Sequence, residues 1–318
     1  MPSEFDLIKR FFTRDTPGAL LGVGDDAALL APSPGMVLAV SADMLVEGRH
    51  FSPGDGPGSV GHKSLAVNLS DMAAMGAQPR WALLSLALPE ADEAWLKGFA
   101  GGFFGLAEKF GVELVGGDTT RGPRNISVQI IGEMPADQAL RRDGAKAGDE
   151  VWVSGRIGTA AAALAYRQGK LELDPLEAAS CLPALYVPQP RIALGLALRG
   201  IASAAIDISD GLLADLGHIL ERSEVGAEIA FEALPVNDVI AARLDSDSVR
   251  RCVLAGGDDY ELCFTAPASR HGEIAALAEA LELPLTPIGR ITADSGLTVL
   301  KNGQPLAVGA TGFDHFSE

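Results

Sequence analysis

Apolar residues recur at three- or four-residue spacing in several segments of the chain, and this spacing is typical of amphipathic helices. On this basis we predict helices over five ranges, which are 4–12, 59–75, 92–110, 159–167 and 211–222. The third range contains four glycines, which lower its helix propensity. Gly76 and Pro79 follow the second range and predict its end.

Short apolar or alternating runs between these segments predict β-strands. They cover residues 36–41, 81–88, 112–115, 126–130, 151–153, 204–208 and 260–265. We expect the first of these strands to be buried, because it is almost entirely apolar. The third runs into a glycine-rich turn that begins at Gly116. Three nearby prolines predict an irregular stretch over residues 183–190.

Strands and helices are mixed in both halves of the chain, which indicates an α/β (mixed α+β) fold. A change in composition after Met134 leads into a charged, glycine-containing stretch over residues 141–149, which suits a domain boundary. A length of 318 residues favours about two domains. We therefore predict an N-terminal α/β domain, 1–136, and a C-terminal α/β domain, 137–318.

The chain carries 42 acidic and 25 basic residues, for a formal net charge of −17. We therefore expect no nucleic-acid partner, because such proteins present basic surfaces. Its three cysteines are widely spaced and do not have zinc-ligand spacing, which favours a reduced, cytoplasmic protein. The N-terminus lacks the pattern of a signal peptide, and the apolar runs are too short to span a bilayer.

Several aspartates follow glycine turns, end predicted strands or stand among apolar residues. They are Asp25, Asp26, Asp43, Asp71, Asp118, Asp207 and Asp210. Each alone could be a helix cap, a turn residue or a surface residue. Together they would be costly to bury without cations. Because Mg²⁺ binds carboxylates together with phosphate oxygens, the set favours a metal-dependent phosphotransferase.

Other candidate residues allow more than one interpretation. The P-loop and protein-kinase signatures are absent from the sequence. The amides of Gly155-Arg-Ile-Gly158 could hold an anion, although a plain tight turn is favoured. His50 could contact an anionic substrate or lie on the surface. Arg121, Arg142 and Lys146 could balance phosphate charge or be solvated.

Six ordered motifs and the C-terminus resemble those of thiamine-monophosphate kinases. They are Gly22-Val-Gly-Asp-Asp-Ala-Ala28, Asp43-Met-Leu-Val-Glu-Gly-Arg-His-Phe51, Val67-Asn-Leu-Ser-Asp-Met-Ala-Ala-Met-Gly-Ala77, Gly116-Gly-Asp-Thr119, Ile206-Asp-Ile-Ser-Asp-Gly-Leu212, Gly256-Gly-Asp-Asp-Tyr-Glu-Leu262 and Gly312-Phe-Asp-His-Phe316. The resemblance spans essentially the whole chain. It implies the two-domain fold of aminoimidazole ribonucleotide synthetase and its relatives, and it implies a homodimer.

The implied reaction converts ATP and thiamine monophosphate into ADP and thiamine diphosphate. It implies several Mg²⁺ ions and leaves a need for K⁺ open. By position, the resemblance implies metal contacts at Asp26, Ser41, Ala42, Asp43, Asp71, Asp118, Asp207 and Asp210. Asp71, Asp118 and Asp210 would be the catalytic members of this set. Only a backbone oxygen could serve at Ala42.

The resemblance also implies ligand contacts. ATP would lie against Gly117, Asp118, Arg142 and Ser209, and the thiamine substrate against His50, Asp258 and Phe313. Position 258 departs from the family, which usually has Glu there. Because Asp is one methylene shorter, the contact could shift, be bridged by water or pass to Asp259.

Three alternatives stay open. A selenophosphate synthetase would normally have a reactive cysteine near its N-terminus, whereas the first cysteine here is Cys181. A ribonucleotide cyclo-ligase is harder to separate on physical grounds. A non-enzymatic protein that binds metal or nucleotide would need the acidic loops but no substrate contacts.

Overall fold

The N-terminal part of the chain folds into a four-stranded sheet with two long helices. The structure is a computed structural model that describes residues 3–309 and 312. The elements up to residue 135 are α1 (Glu4–Leu7), a π-helix (Ile8–Phe12), β1 (Met36–Val46), α2 (Pro57–Ala74), β2 (Gln78–Leu88), α3 (Glu93–Phe110), β3 (Glu113–Arg121) and β4 (Asn125–Pro135).

The strand order in this sheet is β1-β4-β2-β3. Strand β4 is antiparallel to both of its neighbours, whereas β2 and β3 are parallel. Helix α2 lies against β1 and β4, and α3 crosses α2. The large side chains of the core come from α2, β2 and α3 and include Leu65, Leu69, Met72, Trp81, Phe99 and Phe103.

The C-terminal part contains a larger sheet. Its elements are β5 (Asp149–Ser154), α4 (Thr159–Arg167), α5 (Pro175–Tyr186), α6 (Ile192–Ala197), β6 (Ala204–Asp207), α7 (Leu212–Ser223), β7 (Gly226–Ala230), α8 (Asp238–Ala241), α9 (Asp247–Ala255), β8 (Leu262–Pro267), α10 (His271–Ala280), β9 (Leu285–Thr292), β10 (Gly296–Lys301) and β11 (Gln304–Pro305). Two 3₁₀-helices cover Phe231–Ala233 and Ala268–Arg270.

The strand order of the seven-stranded sheet is β11-β10-β7-β9-β5-β8-β6. Among the described strands of this second sheet, only β10 and β7 form a parallel pair. A main core joins the sheet to α7 and α9, and includes Val151, Ile206, Leu216 and Val253. A smaller cluster joins α4 to α5 through Ala163 and Cys181.

The helices and strands described above confirm the predicted mixed α/β architecture. The chain divides into two compact units. One contains Met1–Met72 and Ala77–Asp137, and the other contains Ala73–Gly76 and Gln138–Glu318. The division into folding domains at 136/137 stays a prediction. In the described part of the chain, helices are too short or too polar to cross a membrane.

Three details differ from the sequence-based predictions. Strand β1 is not buried, because it forms an edge of its sheet and Val40 is 65% exposed. The glycine-rich segment after residue 115 is not a turn, because pairing with β2 continues β3 to Arg121. Pro183 lies inside α5 rather than in an irregular stretch, and its buried neighbour Cys181 anchors that helix.

Candidate functional site

A cavity of about 380 Å³ in the first unit brings together residues from two segments that are far apart in sequence. Asp25 and Asp26 line it from the glycine-rich loop, and Gly117 and Asp118 line it from β3. The rest of the wall is largely apolar and includes Phe5, Ile8, Phe12, Leu83, Leu86 and Leu114. The cavity therefore combines an acidic rim with apolar surface that suits a flat ring.

Gly117 is required by the close approach of β3 to β2. Its φ is +147°, and a Cβ there would lie 1.8 Å from the carbonyl oxygen of Leu84. The two strands are paired at this point, with Leu84 opposite Gly117 and Ser85 opposite Asp118. The glycine thus lets the strand continue and places Asp118 at the cavity.

A second group of predicted residues lies where β1 meets α2. The Ser41 hydroxyl donates to Oδ2 of Asp71 at 2.5 Å, and the Asp43 amide donates to Oδ1 of Asn68 at 3.1 Å. Asn68 and Asp71 share one helical face because they are three residues apart. The structure therefore brings Ser41, Asp43 and Asp71 together.

The side chain of Ala42 lies on the other face of β1, because side chains alternate along a strand. Val40, Ala42 and Met44 are all exposed on that face. Ala42 can offer a metal ion only its backbone oxygen, as expected from the residue type.

His50 lies in the turn that follows β1. The Val46 amide donates to Nδ1 of its ring at 2.9 Å, so a neutral ring carries its hydrogen on Nε2. Nε2 can then donate to an anionic oxygen. The backbone of the same turn thereby selects the tautomer that suits a phosphate contact.

In the second unit, Asp207 ends β6, and Ser209 and Asp210 lie in the loop before α7. A separate segment, 256–261, is bonded to this loop. The Asp258 amide donates to the carbonyl oxygen of Ser209 at 2.9 Å, and the Tyr260 amide donates to that of Ile208 at 2.8 Å. The structure thus brings a predicted nucleotide contact, Ser209, close to a predicted substrate contact, Asp258. We call residues 207–211 and 256–261 together the platform.

Two predicted contacts lie outside this platform. Arg142 is exposed, and its carbonyl oxygen accepts a hydrogen bond from the Ser223 hydroxyl at 2.8 Å. Phe313 lies outside the described residues.

Tyr260 is a residue of the platform that sequence reasoning did not single out. Its hydroxyl donates to Oδ1 of Asp258 at 3.0 Å. Both residues have left-handed backbone conformations, with φ of 70° at Asp258 and 51° at Tyr260. Such conformations are uncommon for residues other than glycine and concentrate at functional sites.

The Asp259 side chain is partly buried, and its carboxylate accepts the Gly158 amide at 2.8 Å, at the start of α4. Burial raises the pKa of Asp259 well above its usual range, the Gly158 hydrogen bond opposes this, and the charge of Glu261 adds to it. Within the Gly155–Gly158 turn, the Gly158 amide is thus bonded to a carboxylate of the chain itself.

Two further buried carboxylates hold the platform. Glu261 forms an ion pair with Arg191 and accepts a hydrogen bond from the Ser154 hydroxyl at 2.5 Å. Burial raises the pKa of Glu261, and Arg191 counteracts the rise. Asp215 accepts three backbone amides, and burial raises its pKa to about 7. Only contacts between distant segments reveal the role of Glu261, so local patterns gave no signal for it.

Apart from Ala42, the side chains at the predicted metal positions offer carboxylate and hydroxyl oxygens as ligands, and Mg²⁺ prefers oxygen ligands. Over residues 3–309, no three His, Cys, Asp or Glu side chains are grouped so that they could hold a metal ion by themselves. Mg²⁺ usually takes one or two carboxylates, with water and substrate phosphates as its other ligands. Small sets such as Ser41 with Asp71 therefore fit Mg²⁺ that arrives with phosphate.

Comparisons with known proteins cover nearly the whole chain. The family described as AIR synthase related protein, N-terminal domain, matches residues 24–134, and the corresponding C-terminal domain family matches residues 146–302. The thiamine-monophosphate kinase of Escherichia coli K12 is 44% identical over 319 residues, covering 99% of this chain and 98% of that protein.

Solved structures give the same result. A crystal structure of thiamine-monophosphate kinase from Stenotrophomonas maltophilia K279a is 48% identical, with a TM-score of 0.84 and coverage of 94% of this chain and 95% of that one. A structure described as AaThiL complexed with AMPPCP and TMP is 33% identical, with a TM-score of 0.77 and coverage of 98% and 96%.

Proposed function

Because the chain belongs to the thiamine-monophosphate kinase family of AIR synthase related proteins, we propose that it phosphorylates thiamine monophosphate to thiamine diphosphate with ATP as the donor. The observation that carries the proposal is a sequence identity of at least 44% to two named kinases, over nearly the whole length of this chain and of each kinase. The complex of a relative with AMPPCP and TMP supports the same pair of substrates.

The cavity of the first unit is the proposed nucleotide site. Its apolar wall suits the adenine ring, because flat aromatic groups gain by leaving water. Gly117 and Asp118 also line the cavity, and we place the phosphate chain beside them. Arg142 and Ser209 of the second unit are the other proposed nucleotide contacts, with Arg142 supplying positive charge.

The proposed Mg²⁺ ligands are Asp26, Ser41, Asp43, Asp71, Asp118, Asp207 and Asp210, with the backbone oxygen of Ala42. Bound to these oxygens and to phosphate, Mg²⁺ would supply charge neutralisation for the transferring group. The positions of the aspartates determine where the cations would bind. Without cations they would repel both phosphorylated substrates, because like charges at short range are strongly unfavourable in a cleft. A need for K⁺ is not part of the proposal.

The proposed thiamine contacts are His50, Asp258 and Phe313. Nε2 of His50 can donate to the substrate phosphate, since Nδ1 is engaged by the Val46 amide. The Asp258 carboxylate suits the cationic ring or the amine of thiamine. Tyr260 orients that carboxylate through its hydroxyl.

The proposed chemistry is direct in-line transfer. A terminal phosphate oxygen of thiamine monophosphate attacks the γ-phosphorus of ATP as the bond to the ADP oxygen breaks. A phosphate monoester has a second pKa of about 6, so the attacking oxygen is already ionised near neutral pH. The residues of the site therefore need to position the phosphates rather than remove a proton.

The test is an assay of thiamine diphosphate with ATP, Mg²⁺ and thiamine monophosphate. We expect product with Mg²⁺ and almost none with EDTA. Asp71→Asn and Asp118→Asn should each lower turnover by about 100-fold or more, whereas exposed Asp294→Asn should not. Absence of product with any divalent metal would refute the kinase proposal. Normal turnover in both variants would remove them from the site.

We propose a homodimer in which a second copy covers β1. This edge strand presents Met36, Leu38, Val40, Ala42 and Met44 on one exposed face. A row of exposed apolar residues on an edge strand favours association, because contact with a second copy removes apolar area from water. A cytoplasmic location belongs to the same proposal and is supported by three free cysteines.

A further inference from the structure

A buried carboxylate lies against the loop that joins β6 to α7. Asp215 is 3% exposed, and its Oδ2 accepts the amides of Ser209, Asp210 and Gly211 at 3.0, 3.0 and 3.1 Å. Successive amides that converge on one point form a concave site of the kind that holds anions in many proteins. In this chain the anion is a side chain from the first turn of the following helix.

We propose that Asp215 is a positioning residue for phosphoryl transfer, because its carboxylate holds the backbone that carries Ser209 and Asp210. This inference rests on the proposed function, since it concerns the same metal and nucleotide residues. Asp215 touches neither substrate in this scheme. It acts by fixing three consecutive amides and thereby the starting points of two side chains that do.

The loop is also restrained at Gly211 and at Ser209. Gly211 has a φ of +118°, and a Cβ there would lie 2.7 Å from the Ala255 backbone. On the other side, the carbonyl oxygen of Ser209 accepts the Asp258 amide at 2.9 Å. Asp215 therefore also bears on the substrate side of the platform, because a shift of Ser209 would displace Asp258.

The arrangement has a second consequence for the nucleotide. Amides at the start of a helix commonly bind phosphate. Here the three amides already bind Asp215, so phosphate oxygens near this loop must be held by side chains and their cations. Asp207 at the end of β6, together with Ser209 and Asp210 in the loop, supplies such side chains in the proposed site.

The first test uses the metal-free chain without substrates. Amide hydrogen exchange at Ser209, Asp210 and Gly211 is compared in the wild type, Asp215→Ala and Asp149→Ala. Asp149 is the matched control, because it is 4% exposed and its carboxylate accepts the Lys146 amide at 3.0 Å. We expect exchange at the three amides to be roughly tenfold faster, or more, in Asp215→Ala only.

The second test measures steady-state kinetics of the same variants over a range of Mg²⁺ concentrations. Asp215→Ala should lower kcat by about 10- to 100-fold and raise the Mg²⁺ requirement by a similar factor, as removal of a residue that orients metal ligands does. Formate fits the space of the deleted carboxylate and should restore part of the turnover and slow the exchange. Chloride at equal ionic strength should do neither.

Several outcomes would overturn the inference. One is faster exchange with kcat and the Mg²⁺ requirement within twofold of wild type, because Asp215 would then only stabilise the fold. Another is an equal loss in Asp149→Ala with no rescue by formate. If Asp215→Ala does not fold, Asp215→Leu decides: it fills a similar volume without an acceptor, and turnover within twofold of wild type refutes the inference. If wild type makes no thiamine diphosphate, the proposed function fails, while hydrogen exchange still reports on the anchoring of the loop.

Discussion

At the scale of single residues, position 258 is where this chain has Asp, whereas the resemblance implies Glu. The Tyr260 hydroxyl donates to Asp258 at 3.0 Å. The neighbouring Asp259 carboxylate accepts the Gly158 amide. We therefore propose that Tyr260 orients the Asp258 carboxylate toward the substrate. Both residues have left-handed φ values.

Tyr260→Phe should therefore raise the KM for thiamine monophosphate by roughly fivefold and leave kcat nearly unchanged. The lost hydrogen bond is worth about 1 kcal/mol, and it orients the carboxylate without touching the phosphates. Initial rates at saturating ATP provide the measurement, with Tyr166→Phe in α4 as the control. An unchanged KM would show that Tyr260 does not orient the substrate contact.

Gly117 matters both for the pairing of β3 with β2 and for the proposed nucleotide site, which it lines. We expect Gly117→Ala to lower the free energy of unfolding by about 2–3 kcal/mol and to abolish turnover, because its Cβ would collide with the Leu84 carbonyl oxygen. Gly105→Ala is the control, since that helical glycine has open space around its Cα. It should stabilise α3 by about 0.5–1 kcal/mol. Urea unfolding measures both, and equal stabilities would contradict the proposed collision.

At the scale of secondary-structure elements, Glu261 joins three parts of the second unit. It pairs with Arg191 at the start of α6 and accepts the Ser154 hydroxyl at the end of β5, while it lies next to β8. Its carboxylate is 6% exposed, so the pair is shielded from water on one side.

Glu261→Gln should destabilise the protein by about 3 kcal/mol, because Arg191 would remain partly buried without its partner charge. The comparison is Glu228→Gln on the exposed pair with Arg290, where we expect a loss of about 0.5 kcal/mol. Urea midpoints at constant m-value give both numbers. Similar losses in the two variants would mean that the buried pair has no special role.

At the scale of the whole molecule, β1 belongs both to the proposed dimer interface and to the proposed metal site. Its outer face carries apolar residues such as Val40, whereas its inner face carries Ser41 and Asp43 beside α2. Period-two alternation assigns these opposite faces. A copy that covers the outer face would therefore also restrain the strand that bears proposed metal ligands.

Val40→Lys should convert the dimer to a monomer at micromolar concentration and reduce activity, because a charge would be buried at the centre of the apolar face. Leu176→Lys is the control: Leu176 is 83% exposed on α5 and should tolerate the change. Sedimentation velocity measures the outcome. A fully active wild-type monomer would refute the proposed assembly.

Much of the local structure could be predicted from the sequence. Helix α4 has the predicted bounds, because a run of alanines lies between Gly158 and Gly169. Helix α3 begins after Asp92, which caps it, and ends at left-handed Gly111. Strand β1 shows the limit of such prediction, since an apolar run is equally compatible with a buried strand and with an exposed edge that another chain covers.

The sequence by itself determined the mixed α/β class, the ordered motifs and the oxygen-rich chemistry of the acidic positions, because these depend on residue type and spacing. Only the tertiary structure decided that Asp26 and Asp118 line one cavity and that Ser209 is bonded to Asp258. It also revealed that Asp215 holds the loop that carries Ser209. These facts depend on backbone approach between distant segments, which spacing along one chain does not specify. The set of aspartates that first suggested metal is thus proposed to bind cations, whereas two others, Asp215 and Asp259, bind the chain's own amides.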